Sequence, residues 1–297
     1  MLTKDRRKLI IPFMAPGLIL YLLFFIYPAL QGIYTSLFDW SGFGLPKKFI
    51  GLLNYQQLIT DDRFITALKT TLFILLIGGF CVFVIALSFT ALLNSGIAGK
   101  KFFRAVLFFP NVVAPIALTT FWSMIYNGRF GVLNSFLIAI GLKSLILPWT
   151  DPDHILGAVT IALIWLYTGY FMVILLAGAD KIPQEIYDAA RVDGANSLQV
   201  FIQITLPLMW DIVGIALVLW MITAIKQFEF IYAFGSGIQV NPATWTLPIY
   251  LVIEGFGMRD PVFRLGYASA IGVVILVIIV VFATLLRRFL RRDVTQF

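Results

Sequence analysis

The 297-residue chain is 60% hydrophobic and only 12% charged, against about 25% charged in an ordinary soluble domain, and its mean hydropathy is +0.94. This excludes a soluble globular protein and points to an all-α chain that crosses a membrane several times. The net charge of +7 does not indicate a nucleic-acid binder, because no basic stripe interleaved with aromatics occurs and the Lys and Arg cluster beside apolar runs. Cys81 and His154, the single members of their kinds, leave neither an internal disulfide nor a soft-metal site.

A membrane helix needs about 20 mostly apolar residues. In chain order the stretches Leu9–Leu30, Leu68–Leu93, Phe102–Tyr126, Ile155–Ala177, Leu208–Phe234 and Leu265–Leu286 meet that measure. The first follows MLTKDRRK, but it is too long for a secretory h-region and no A-x-A site follows, so it is expected to stay as a span. Pro110, Asn111 and Pro115 interrupt the third. A proline frees backbone carbonyls that must be satisfied elsewhere, so this span either kinks or lines a cavity.

Six spans place both termini on one side. Lys4, Arg6, Arg7 and Lys8 precede the first, Lys100, Lys101 and Arg104 separate the second from the third, and Arg287, Arg288, Arg291 and Arg292 follow the last. Basic residues mark the cytoplasmic face. Residues 1–8, 180–207 and 287–297 are thus expected in the cytoplasm, within one membrane domain covering 1–297. His154 falls in an outer loop, where a solvated role is expected.

Between the fourth and fifth spans lies the polar stretch EIYDAARVDGANSLQVFIQITLP, residues 185–207. Pro183 suits a first helical position, Glu185 the first turn, and Gly194 the left-handed residue past a helix end. A short helix over 183–192 is expected, then a second capped by Asn196 or Ser197. Asp180, Glu185, Asp188 and Asp193 outnumber Lys181 and Arg191. An interfacial helix held by anionic lipid would be basic on its polar face, so the balance favours a protein-docking surface over a lipid-bound connector.

The pattern Asp188-Ala189-Ala190, three residues, Gly194, nine residues, Ile204-Thr205-Leu206-Pro207 resembles the EAA motif of permease subunits in bacterial ATP-binding-cassette importers. The longer run IPQEIYDAARVDGANSLQVFIQITLPL is similar to the maltose-type, carbohydrate-importing branch. Asp188 stands where that family usually has Glu. The resemblance implies a multi-pass permease of a bacterial or archaeal plasma membrane, whose segment docks as a coupling helix on an ATPase. It implies two such ATPase subunits, which bind ATP and Mg, with no cofactor in this chain itself. A second permease subunit and an extracytoplasmic sugar-binding protein complete the set of partners. Carried over by position, Asp188, Ala189, Ala190 and Gly194 form the contact and turn, with Glu185 and Arg191 flanking. The acidic residue would meet a basic partner in a contact worth about 1.5 to 3 kcal/mol.

Gly96-Ile-Ala-Gly99-Lys100-Lys101 is no P-loop, because Asn94 stands where the first glycine should be and Lys101 where Ser or Thr should be. The chain is therefore not expected to be an enzyme. Polar groups inside spans are costly and become candidates for a substrate path. Tyr167 and Tyr170 are three apart in the fourth span, and Trp220, Thr223 and Gln227 follow a helical spacing in the fifth. Aromatic faces and amide or hydroxyl groups suit a sugar ring, which agrees with the pocket of maltose-type permeases, although helix packing would use the same residues. Lys226 and Glu229, three apart, are expected to pair. Permeases for polyamine or glycerol phosphate share the motif, and a stand-alone secondary transporter is a more distant alternative, since only one broken span and no paired half is visible.

Overall fold

The computed structural model describes residues 4–44, 48–234, 240–257 and 263–290. Arg291 and Arg292, counted above, lie outside them. Among the described residues the regular structure is helical apart from one two-stranded ribbon. Among the described residues four helices are long and apolar enough to cross a membrane, Pro12–Thr35, Asp62–Asn94, Ile155–Ala179 and Leu265–Leu290, and two bent pairs make up to six spans.

The bent pairs are the third and fifth spans. Lys100–Val112 and Pro115–Ile125 meet at 98°, far past a simple kink. The cause is local: the chain tightens into a 3-10 turn over Phe109–Val112, and Val113 (ψ 140°) and Ala114 (ψ 133°) are extended. The ring of Pro115 disfavours helical geometry at the residue before it, and Ala114 is accordingly out of the helix. In the fifth span Ser197–Leu208 and Trp210–Ile225 meet at 74°, next to Pro207 and a π turn over Phe201–Thr205. The continuous helix expected to Phe234 is also cut short. It ends at Ile225 and resumes as Glu229–Phe234, while Thr246 Oγ1 donates to the freed Gln227 carbonyl at 2.8 Å. Lys226 and Glu229 therefore lose their helical spacing, and they are not joined by any ion pair among the described residues.

The chain divides into two compact units. The larger comprises Arg63–Ile249 with Val277–Phe297. At its centre stands the fourth span, whose apolar window is 61% buried. Its Phe171 ring lies 5.3 Å from Phe83 of the second span and 5.8 Å from Trp220 of the fifth. Gly169 lets it meet the third span at backbone distance, since a side-chain carbon there would overlap the Leu107 carbonyl. His154, expected to be solvated, is half-buried just before this span, with its Nδ1 enclosed.

The smaller unit comprises Met1–Asp62 with Tyr250–Leu276. Its ribbon pairs Phe38 with Phe49 and Asp39 with Lys48. Asn54 donates from a short helix to the carbonyls of Ser36 and Phe38 at 2.8 and 3.1 Å. Asp61 accepts hydrogen bonds from Tyr250 (2.5 Å) and Tyr267. Arg264 stacks on Tyr267 at 4.0 Å, pairs with Glu254 at 3.2 Å and donates to Gln57 at 2.9 Å. Removing the carboxylate takes from both phenols the acceptor they share, and a half-satisfied buried network is worse than none. Asp61→Ala should cost about 2 to 4 kcal/mol, read as a lowered Tm of the detergent-solubilised protein. An unchanged Tm would refute the network's role.

Candidate coupling surface and membrane polar cluster

The polar stretch after the fourth span forms two short helices joined by a turn. Pro183 is extended (ψ 138°) and stands at the cap of helix Gln184–Val192, one residue earlier than the first helical position expected for it. Glu185 in the first turn and Arg191 in the last complement the helix dipole. Gly194 adopts φ +77°, which lets the Ala195 N–H return to the Ala190 carbonyl at 3.0 Å and close the helix end. Asn196 and Gln199 then form a reciprocal capping box at 2.9 and 2.8 Å, resolving the choice of cap in favour of Asn196.

The first helix has two distinct faces. Tyr187 and Ala190, three apart, are 8% and 6% exposed and turn inward. Glu185, Asp188, Ala189, Arg191 and Gly194 are exposed. Of the six residues carried over from the motif, Ala190 is thus the one on the buried face. Asp188 accepts from Arg191 Nη1 at 2.9 Å and from Gln184 Nε2 at 3.1 Å. The shorter carboxylate therefore finds partners within its own helix. Both members of the ion pair are about 60% exposed, and such i,i+3 pairs add only about 0.3–0.5 kcal/mol.

Tyr187 is a residue that sequence reasoning missed. Its hydroxyl receives a hydrogen bond from Asn94 Nδ2 at 3.1 Å, lies 3.4 Å from Thr205 Oγ1 and 3.5 Å from the Ala179 carbonyl. One phenol thus joins the helix Gln184–Val192 to the ends of the second and fourth spans and the start of the fifth, above a small polar cavity of about 130 Å³. The available signal was its i,i+3 relation to Ala190 on an otherwise polar helix. Tyr187→Phe keeps the ring and deletes the joint, so it should lower stability by about 1 to 2 kcal/mol, seen as a Tm shift. Identical melting would show that the hydroxyl holds nothing. The segment's other end is fastened by Asp180, which meets Lys100 Nζ at 2.7 Å and Arg104 Nη2 at 3.8 Å.

Within the membrane the structure brings three of the five substrate-path candidates together. Tyr167 donates to Gln227 Oε1 at 3.1 Å, and its ring meets Trp220 edge-on at 5.7 Å. Trp220 is 3% exposed and its indole donates to the Leu75 carbonyl at 2.9 Å. Gly79 makes room for it, since a side-chain carbon there would overlap the indole nitrogen. Trp220 and Gln227 are accordingly buried, whereas Tyr167, Tyr170 and Thr223 keep partial exposure. Tyr170 packs edge-on against Phe171 at 5.0 Å, and Thr223 donates back to the Leu219 carbonyl at 2.9 Å.

Residues 88–296 match the family described as binding-protein-dependent transport system inner membrane component. The chain is similar to the probable ABC transporter permease protein YurN of Bacillus subtilis, at 33% identity over 94% of each chain. It is also similar to the diacetylchitobiose uptake system permease protein NgcF of Streptomyces coelicolor, at 29% identity over 96% of this chain and 82% of that one. Its fold matches a crystal structure of a bacterial ABC transporter involved in the import of the acidic polysaccharide alginate, with a TM-score of 0.80, 22% identity and 98% of both chains covered.

Proposed function

Because the chain belongs to the family of inner membrane components of binding-protein-dependent transport systems, we propose that it is the permease subunit of an ATP-driven carbohydrate importer working by alternating access. The observation that carries the mechanism is the helix Gln184–Val192, exposed on its charged face and tied through Tyr187 to spans two, four and five. A rigid lever anchored at three helix ends can convert a push on its outer face into helix movement. On this reading Glu185, Asp188, Ala189, Arg191 and Gly194 meet the ATPase, and Ala190 seats the helix on its own chain. ATP and Mg belong to a pair of ATPase subunits, and no nucleotide chemistry is assigned to this chain.

A carbohydrate substrate is supported by relatives named for diacetylchitobiose uptake and alginate import. Tyr167, Tyr170 and Thr223 keep surface for a sugar, while Trp220 and Gln227 hold Tyr167 in place. A second permease chain is supported by the first span, Pro12–Thr35, whose apolar window is 0% buried. An external binding protein is supported by the family's description. Residues 1–297 form one permease domain on this reading, with both termini and residues 180–207 cytoplasmic, as the basic clusters require.

The test is reconstitution in vesicles with the ATPase, the second permease and the binding protein, followed by uptake of a panel of labelled mono- and oligosaccharides. Uptake should require ATP on the side of the coupling helix and survive collapse of ion gradients. Transport by the chain alone, driven by an ion gradient, would overturn the assignment, and uptake of polyamine or glycerol phosphate in place of sugar would overturn its substrate class.

A further inference from the structure

At the basic end of spans five and six a groove of about 760 Å³ opens between Trp210–Leu219 and Thr284–Leu290. Its floor is Gly214, where the missing side chain leaves Leu290 as the nearest wall at 3.4 Å from the position a Cβ would take. Apolar side chains, Leu219 among them, line most of it. Three charges stand at its rim: Asp211 on span five, and Arg287 and Arg288 in the last turn of span six. None of the three enters the ion pairs found among the described residues. Opposite charges that share one cavity without meeting call for a ligand carrying both signs. The apolar walls call for one that also carries hydrocarbon.

We propose that this groove holds a membrane phospholipid whose headgroup bears a phosphate and a primary ammonium, as in phosphatidylethanolamine. The two guanidiniums would take the phosphate oxygens, for which their planar donor forks are suited. Asp211 would take the ammonium, Trp210 sits at the level where indoles favour the interface, and an acyl chain would run along Leu219 over Gly214. Basic pockets between membrane helices are established headgroup sites. The added carboxylate is what separates this groove from one selecting anionic lipid alone. The proposal is independent of the transported substrate.

The experiment places the assembled transporter in nanodiscs of equal phosphatidylethanolamine, phosphatidylcholine and phosphatidylglycerol. Tightly held lipid is then counted by native mass spectrometry after mild detergent exchange. Phosphatidylethanolamine should be retained about tenfold over either competitor. R287Q/R288Q should abolish retention of all three, and Gly214→Leu, which fills the floor and leaves the charges, should do the same. Asp211→Asn should erase the preference over phosphatidylcholine while leaving a lipid bound. Size-exclusion of each variant complex confirms assembly before counting. Equal retention of the three lipids would overturn the proposal, as would wild-type retention in R287Q/R288Q. So would a photo-crosslinker at Leu219 that captures another protein subunit of the transporter instead of lipid.

Discussion

A transporter carrying Gly194→Val should assemble in the membrane at near wild-type yield yet lose at least about tenfold of its ATP-driven uptake. Gly194 sits at φ +77°, a region that costs an ordinary residue about 1 to 2 kcal/mol and a β-branched one the most. Nothing lies within 4 Å of the position its side chain would occupy, so the penalty is conformational and not steric. The chain escapes it by unwinding the turn that returns Ala195 to Ala190 and by shifting the Asn196–Gln199 box. The spans are held elsewhere, by Tyr187 and by the packing of span four, so the body of the fold survives. On the proposed reading, what changes is the presentation of Asp188, Ala189 and Arg191 to the ATPase. Gly194→Asn separates the two effects, because asparagine tolerates the left-handed region and should retain most uptake. The measurement is sugar imported per ATP hydrolysed. Wild-type coupling in Gly194→Val would remove the turn from the mechanism.

How much of this could be read from sequence differs by element. The membrane class and the six spans were legible because apolar composition over about 20 residues is a strong signal. Gly194 was legible because a left-handed helix end demands a particular residue type, whereas the cap was legible only as Asn196 or Ser197, since either side chain can accept from the first turn. Pro115 announced a break, but its 98° size depends on how many residues leave the helix before it. The stop at Ile225 carried no local marker; it depends on Thr246, nineteen residues on, reaching the Gln227 carbonyl. For the same reason Lys226 and Glu229 looked like a helical pair and are not one. Tyr187 and Asp61 escaped notice because their partners come from distant segments, and periodicity carries no information about which hydroxyl meets which carboxylate. Trp220 was conspicuous as an aromatic in a span, and its burial becomes visible only when the gap at Gly79 is set against it.

The largest effect on folding is expected at Gly169. Its span must approach the third at backbone distance, and a Cβ there would fall on the Leu107 carbonyl and within 2.9 Å of the Phe108 nitrogen. A side chain in the way can rotate aside, but a peptide group can move only with its helix. Gly169→Val would therefore force spans three and four apart, and with them the packing of Phe171 against Phe83 and Trp220. Overpacking against movable side chains costs about 1 to 3 kcal/mol; collision with fixed backbone at a buried position belongs above about 4 kcal/mol. Folded protein should be lost from size-exclusion profiles of detergent extracts. The same helix supplies its own control. Gly157 has nothing within 4 Å of its absent side chain, so Gly157→Ala should be neutral or raise stability by up to about 1 kcal/mol through helix propensity. Two glycines in one span then give opposite outcomes, which a general intolerance of that helix to substitution would not produce. A monodisperse Gly169→Val protein melting with the wild type would mean that spans three and four do not meet where Leu107 and Gly169 place them.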